Sequence, residues 1–190
     1  PSSGGIAMLQ TLSVHDRSAE RLNIQAHWWD APAAMHVFVE ANKHAFANRA
    51  RWLADPAFAP LPMEALMSDG HIDDLASRVT LDGPAEPETY GLVGAAQVVP
   101  EAGGTSPLSV VDQWGGAVAC TETINTVFGS LVVVPGLGLV LNNEMHDFQP
   151  RRGAVNIYGL RQSDYHLPAA GKRPLRSLTP TIVPDEPREC

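Results

Sequence analysis

Residues 103–126 read GGTSPLSVVDQWGGAVACTETINT and contain two β-strand patterns around a glycine-containing turn. SPLSVVD (106–112) and GAVACTET (116–123) are rich in apolar and β-branched residues, and the intervening QWG suits a hairpin turn. Thr105 follows two glycines and stands directly before the first strand. The stretch therefore predicts an antiparallel hairpin that begins with a threonine, which is either an ordinary strand-start residue or a nucleophile.

A second pair of short strands is predicted in SLVVVP (130–135) and GLGLVLN (136–142), with a turn at Pro135-Gly136. The segment LNNEMHDF (141–148) then crowds polar side chains directly behind the apolar run. They are Asn142, Asn143, Glu144, His146 and Asp147. Polar groups at a strand end face either a cleft or a hydrogen-bonded turn, and the pattern alone leaves both open.

The first 80 residues carry helical patterns. The clearest helix is expected to have Asp30 as its N-cap and Pro32 in its first turn, where the missing N–H costs nothing. Its apolar side chains recur on one face, which comprises Met35, Phe38, Val39, Phe46 and Leu53. Asn42 and Arg49 share that face, either as satisfied buried polar groups or as contacts to another part of the protein. Two short helices, PMEALMSDG and HIDDLASRV, are predicted with Gly70 between them.

Residues 81–104 lose periodicity and are dominated by Pro, Gly and Glu, which is typical of an exposed linker. The order of helices, linker and consecutive hairpins predicts an α+β fold. The formal charge of −8 and the lack of a basic stripe argue against binding to a nucleic-acid backbone. No apolar run approaches the roughly 18 residues that span a bilayer. The cysteines and histidines lack metal-ligand spacing, and neither a dinucleotide-binding glycine pattern nor a Gly-x-Ser-x-Gly elbow occurs.

A threonine behind an exposed Gly-Gly linker has the character of a self-processing N-terminal nucleophile. Its hydroxyl is a poor nucleophile unless a base lies beside it. If the bond between Gly104 and Thr105 is cut, the new α-amine supplies that base, because its pKa near 8 leaves it partly neutral at physiological pH. The Thr105 hydroxyl can make the cut by attacking the preceding carbonyl, which glycine crowds least.

Seven segments resemble, in this order, successive motifs of γ-glutamyltranspeptidases, which are self-processing N-terminal nucleophile hydrolases. They are PSSGG, FANRARWLADPAF, TSPLSVVD, TETINTVFGS, LNNEMHDF, NIYGL and GKRPLRSLTPTIV, and they run from residue 1 to Val183. TETINTVFGS followed at this spacing by LNNEMHDF is a highly specific pair. The resemblance implies part of a four-layer αββα sandwich. It also implies that residues 1–104 end the large subunit and that residues 105–190 begin the small one.

The resemblance implies catalytic roles for two threonines. Thr105 matches the nucleophile that becomes a new N-terminus after cleavage between Gly104 and Thr105. Thr123 matches the hydroxyl that hydrogen-bonds to the nucleophile and positions it. The usual Thr-Thr-His start of the small subunit is Thr-Ser-Pro here, and Pro107 removes a strand N–H.

The resemblance also implies the residues that hold the γ-glutamyl group. Those at its α-amino and α-carboxylate ends are Asn125, Glu144 and Asp147, and Asp147 would accept the substrate ammonium. Ser177 matches one of two adjacent carboxylate-binding serines. Arg176 replaces the other, where it would either pair with the substrate carboxylate or block the pocket. Tyr158 matches an aromatic residue in a loop that covers the glutamyl pocket in some members. His146 stands where an Asp is common. These departures bear on substrate specificity more than on reaction class.

The implied activity is transfer of the γ-glutamyl group of glutathione and related amides to water or to amino-acid or peptide acceptors. It would proceed through an ester on Thr105, without metal or cofactor, in a heterodimer of subunits cut from one precursor. The implied location is the periplasm or the cell exterior. Two alternatives stay open, a cephalosporin or glutaryl acylase of the same fold and a remnant that never processes. The start at PSSGG predicts an internal fragment, as does the lack of the family's upstream Arg and downstream Gly-Gly pair.

Overall fold

The computed structural model describes residues 1–90 and 105–183. Packing divides them into two compact units. The first unit comprises residues 1–90 and 145–177, and the second comprises residues 105–144 and 178–183. In the described part of the chain, no helix combines the length and apolar character needed to cross a membrane.

The first unit is built on four helices, α1 (Gly4–Arg21), α2 (Pro32–Trp52), α3 (Met63–Leu66) and α4 (Asp69–Arg78). One buried apolar cluster joins α1, α2 and α4, and it comprises Val14, Val37, Ala41, Ile72, Leu75, Ala76 and Val79. A second cluster joins the end of α2 to α3 and to a late segment of the chain through Leu53, Leu66 and Leu175. Full burial of one Val, Leu or Ile side chain stabilises the fold by roughly 1.5–3 kcal/mol, so these clusters fix the helices relative to one another.

The late segment is tied to the beginning of the chain. Ser2 and Arg176 form an isolated parallel bridge, and the N–H of Ser3 donates to the carbonyl of Arg176 at 2.8 Å. The buried carboxylate of Asp55 accepts hydrogen bonds from the backbone N–H of Arg173 at 2.9 Å and from its Nη2 at 2.7 Å. These contacts hold the pKa of Asp55 well below its usual range. Residues 173–176 are thereby held beside the end of α2.

The second unit consists of two hairpins, and both predicted strand pairs are confirmed. β1 (Thr105–Val111) pairs antiparallel with β2 (Ala117–Thr123), and β3 (Val133–Val134) pairs antiparallel with β4 (Leu139–Val140). The second pair is only two residues long on each side. The register of the β1–β2 pair places Thr105, the first residue of β1, opposite Thr123, the last residue of β2.

The turn between β1 and β2 is organised by one carboxylate. Asp112 Oδ1 accepts the N–H groups of Trp114 at 2.9 Å and of Gly116 at 2.7 Å. The N–H of Asp112 in turn donates to the carbonyl of Gly116 at 2.8 Å. Asp is favoured in turns because its side chain can accept backbone N–H groups a few residues later, as Asp112 does here.

The predicted face of α2 is confirmed at Leu53 and Arg49, which are buried, and is wrong for three of its apolar side chains. Met35, Val39 and Phe46 are between 37% and 41% exposed, whereas Ala34 and Ala41 are fully buried. Val37 and Ala41 face the buried cluster that α2 shares with α1 and α4, whereas the larger side chains of Met35, Val39 and Phe46 are not part of it.

Two predicted helix boundaries are also wrong. The N-cap of α2 is Ala31 rather than Asp30, and no side chain caps this end. The two short helices separate at Met67-Ser68 instead of at Gly70, which lies inside α4. Ser68 determines this boundary, because its Oγ accepts the N–H of His71 at 3.3 Å as an N-cap.

Candidate active site

The strand ends of the second unit bring two hydroxyl groups together. Thr105 and Thr123 are opposite in the β1–β2 register, and Thr105 Oγ1 donates to Thr123 Oγ1 at 2.9 Å. The N–H of Asn125 donates to the same Thr123 oxygen, also at 2.9 Å. A hydroxyl oxygen accepts through two lone pairs, so these contacts together fix where Thr123 Oγ1 lies and hold the Thr105 hydroxyl against it. Thr105 is exposed, and Gly104, the other half of the predicted processing site, lies outside the described residues.

Asn125 leaves β2 in a left-handed backbone conformation. Its φ is 77°, a region in which asparagine is enriched among non-glycine residues, and only 5% of the residue is exposed. Its Nδ2 donates to the carbonyl of Asn143 at 3.3 Å, and the N–H of Thr126 donates to Asn143 Oδ1 at 3.2 Å. The turn after β2 is therefore locked to the polar segment after β4.

One glycine allows this turn to close. Gly129 has a φ of 52°, and a Cβ atom there would lie 2.2 Å from the carbonyl oxygen of Leu141. No side chain fits at that distance from backbone, which explains a glycine in TETINTVFGS. Nearby, the N–H of Glu144 donates to Asn142 Oδ1 at 3.1 Å, and Glu144 itself is buried.

In the first unit, Asp147 is buried at the end of the 3₁₀ turn Glu144–Asp147. Its backbone carbonyl accepts hydrogen bonds from Asn156 Nδ2 at 3.3 Å and from Gln162 Nε2 at 3.4 Å. Asn156 Oδ1 also accepts the N–H groups of Tyr158 and Leu160, each at 3.0 Å. The loop that carries the half-buried Tyr158 is thus held to the backbone of Asp147 by one asparagine side chain.

Ser177 contacts a buried cation on α2. Arg49 is 4% exposed, and its Nε donates to Ser177 Oγ at 2.9 Å and to Ser3 Oγ at 3.0 Å. Its Nη1 donates to Gln162 Oε1 at 3.0 Å, and its Nη2 lies 3.4 Å from the carbonyl of Leu175. Ser177 is exposed although its oxygen is bound to a buried group, so its hydroxyl stands where the interior of this unit meets solvent.

The charge of Arg49 persists at neutral pH. Burial lowers the pKa of Arg49 to about 10, and the negative charge of Asp147 acts in the opposite direction. Burial, reinforced by the charges of Arg49 and Lys172, lowers the pKa of His166 to about 4, so this histidine is neutral there. Across residues 1–90 and 105–183, no three His, Cys, Asp or Glu side chains are grouped as a metal site requires.

A comparison with known families decides the identity of the chain. The family model described as Gamma-glutamyltranspeptidase matches residues 1–189. The chain belongs to the gamma-glutamyltranspeptidase family. The family resemblance of the seven motifs is thereby confirmed.

Curated proteins that are similar in sequence to this chain support its assignment to the family. The chain is 36% identical over 184 residues to the glutathione hydrolase proenzyme of Escherichia coli K12. This alignment covers 96% of the chain and 30% of the relative. It is also 34% identical over 189 residues to the acylase ACY 1 proenzyme of Pseudomonas sp. V22. That alignment covers 99% of the chain and 30% of the relative. The chain therefore spans about 30% of the length of the curated relatives it matches.

A solved structure shares the fold. The crystal structure of cephalosporin acylase from Bacillus halodurans superposes on this chain with a TM-score of 0.64 and 20% sequence identity. The match covers 93% of this chain and 27% of the acylase chain. The predicted mixture of helices and strands is confirmed.

The predicted site residues of this family chain fall into two groups. Thr105, Thr123, Asn125 and Glu144 lie in the second unit, where the first three are joined by direct hydrogen bonds. The first unit contains the others, which are Asp147, Tyr158, Arg176 and Ser177. The roles of all eight remain predictions.

The residues that contact the second group do not stand out as functional in the sequence. Asn156 lies in NIYGL, and an Asn two residues before an aromatic residue and glycine is a turn signal that identifies it as an organiser. The sequence marks Arg49 only as a polar residue on a helix face, and the structure shows it both buried with satisfied hydrogen bonds and in contact with distant parts of the chain. Nothing in the local sequence indicates Gln162, whose contacts come from distant parts of the chain.

Proposed function

We propose that the complete protein transfers the γ-glutamyl group of glutathione and related amides to water or to an amino-acid or peptide acceptor. The observation that carries this proposal is the hydrogen bond between Thr105 Oγ1 and Thr123 Oγ1 at 2.9 Å, in a chain that matches the family over residues 1–189. A threonine hydroxyl that is positioned by a second hydroxyl at the start of a strand suits a nucleophile whose base, the α-amine, forms only after cleavage.

Processing would come first. Thr105 Oγ1 attacks the carbonyl carbon of Gly104, the peptide C–N bond breaks as an ester forms, and water hydrolyses that ester. The products are a chain that ends in the Gly104 carboxylate and a chain that begins with the free α-amine of Thr105. We expect the two chains to remain together as large and small subunits, in the four-layer αββα sandwich implied by the resemblance.

The amine released by processing would then act as the base. It accepts the hydroxyl proton as Thr105 Oγ1 attacks the γ-carbonyl, and it returns that proton to the leaving amine as the acyl-enzyme forms. It next takes a proton from water or from the acceptor amine, which attacks the ester and releases the product. This cycle needs no metal or cofactor.

Substrate recognition would use the remaining predicted residues. Asp147 accepts the substrate ammonium in a charge-assisted hydrogen bond, and Ser177 donates to the α-carboxylate. Asn125 and Glu144 complete the contacts to the ends of the γ-glutamyl group, Arg176 adds a cation beside Ser177, and Tyr158 covers the pocket. We expect the protein to act in the periplasm or outside the cell, as the resemblance implies.

A second candidate is a glutaryl or cephalosporin acylase, which the similarity to an acylase proenzyme favours. The carboxylate of Asp147 favours γ-glutamyl transfer, because an acyl group without an amine gains nothing from an acidic partner. The complete gene product would be assayed with a γ-glutamyl anilide and a glutaryl anilide, beside Thr105→Ala. We expect kcat/KM to favour the γ-glutamyl substrate by about 10- to 100-fold, the worth of a hydrogen bond to a charged group.

The other outcomes of this assay each reject the proposal in a different way. Equal or better turnover of the glutaryl anilide would make the protein an acylase. Turnover of neither substrate would identify a non-catalytic remnant. Activity that survives in Thr105→Ala would show that another residue is the nucleophile.

A further inference from the structure

One buried cation reaches both groups that would hold the ends of the substrate amino acid. Arg49 donates directly to Ser177 Oγ at 2.9 Å. It also donates to Gln162 Oε1 at 3.0 Å, and the other end of that amide, Nε2, lies 3.4 Å from the carbonyl oxygen of Asp147. The direct contact leads to the predicted carboxylate end, and the contact through one amide leads to the predicted ammonium end.

The polarity of these contacts is fixed by Arg49. A guanidinium only donates hydrogen bonds, so Ser177 Oγ must accept on the Arg49 side and its own O–H must point away from the guanidinium. For the same reason Gln162 must turn its oxygen toward Arg49 and its NH₂ toward Asp147. Arg49 thereby decides the orientation of a serine hydroxyl and of an amide that have no fixed orientation of their own.

We propose that Arg49 is the positioning residue that sets the Ser177 hydroxyl and the Asp147 backbone in register for binding an L-α-amino acid. This inference rests on the proposed function, because it assigns the two ends of the γ-glutamyl group to Ser177 and Asp147. Arg49 itself does not touch substrate, since it is 4% exposed and its donors are directed at Ser3, Ser177, Gln162 and Leu175.

The fork geometry explains why the residue is an arginine. Nε and the two Nη groups point in three directions from one rigid plane, and each direction meets a different acceptor. A lysine keeps the charge but carries all its donors on one nitrogen, so it cannot reproduce the separate directions in which Nε and Nη1 meet Ser177 and Gln162. Arg49→Lys therefore separates the charge of the residue from its geometry.

The test measures binding of L-glutamate by calorimetry, and the KM and kcat for a γ-glutamyl anilide, in the complete gene product. We expect Arg49→Lys to weaken L-glutamate binding and to raise KM by about tenfold, with kcat within about threefold of the parent. Glu40→Gln is the matched control, because Glu40 is equally buried on α2 and its partners are Lys43, Tyr90 and Ala85. It should lower the melting temperature without changing L-glutamate affinity.

A second variant covers the case in which Arg49→Lys fails to fold. Gln162→Glu keeps an oxygen toward Arg49, replaces the NH₂ directed at Asp147 with a second oxygen, and adds one negative charge. We expect it to weaken L-glutamate binding at least threefold, and to leave the affinity for glutarate, which lacks the amine, unchanged.

Three results would overturn the inference. Unchanged L-glutamate affinity in the folded Arg49→Lys and Gln162→Glu variants would do so while leaving the proposed function intact. A loss of affinity in Glu40→Gln that matches its loss of stability would assign the effect to folding alone. Failure of the parent protein to bind L-glutamate or to turn over the anilide would reject the proposed function and the inference with it.

Discussion

Thr123 Oγ1 receives hydrogen bonds from two sides, one from the Thr105 hydroxyl and one from the N–H of Asn125. Thr123→Val removes the acceptor while keeping the β-branched shape that suits the end of a strand. We expect kcat per processed molecule to fall about 10- to 100-fold, since a hydrogen bond of this kind is worth about 1–3 kcal/mol. Turnover of a γ-glutamyl anilide, normalised to the processed fraction, measures the effect.

The matched control for this variant is Thr121→Val, the same change two residues earlier in β2, where the residue pairs with Pro107. It should leave the rate within about twofold of the parent. Equal losses in the two variants would contradict a special role for the Thr123 hydroxyl.

His166 should make the stability of the protein depend on pH. Its pKa is lowered to about 4 in the folded protein, whereas an unfolded histidine titrates near 6.5. Between these values the unfolded chain binds the extra proton, so stability is fully present above pH 6.5 and is lost as pH falls toward 4. The expected loss from pH 7 to pH 5 is about 2 kcal/mol for this residue.

Urea unfolding at several pH values tests this prediction in the parent protein and in His166→Asn. The variant should be less stable at pH 7 and should lose less stability on acidification. Part of the pH dependence should remain, because burial also lowers the pKa of His44 on α2 to about 4. Parallel pH curves for the two proteins would refute the assignment to His166.

At the scale of elements, the turn between β1 and β2 depends on Asp112. Removing its carboxylate in Asp112→Ala leaves the N–H groups of Trp114 and Gly116 without their side-chain acceptor. We expect local opening of the hairpin to become easier by about 1 kcal/mol, the net worth of such hydrogen bonds. Amide hydrogen exchange over residues 105–123 should therefore be about fivefold faster. Asp112→Asn, which retains an oxygen acceptor, should exchange like the parent.

The strands could be predicted from sequence because their signals are local. β-branched runs flanking Gln113-Trp114-Gly115 are sufficient to predict a hairpin, and the hairpin register then brings Thr105 to Thr123 without further information. The buried face of α2 could not be predicted in this way. It depends on tertiary packing, and hydrophobicity alone ranks Met35 above Ala34, which is the residue that is buried.

At the scale of the whole molecule, part of the site depends on contacts that no local pattern contains. Arg49 and Ser177 are 128 positions apart in sequence and meet at 2.9 Å. Asp55 and Arg173 are 118 positions apart and hold the same late segment in place. Motif resemblance therefore predicts Ser177 as a site residue, while only the folded chain shows which cation it contacts.

The intact mass of the complete gene product after incubation tests most directly whether the bond between Gly104 and Thr105 is cut. We predict two chains that divide between Gly104 and Thr105 in the parent protein, and one uncut chain in Thr105→Ala. A parent protein that stays uncut, or a Thr105→Ala variant that yields the same two chains, would contradict it. The first result would leave Thr105 as a strand-start residue, and the second would assign the cut to another agent.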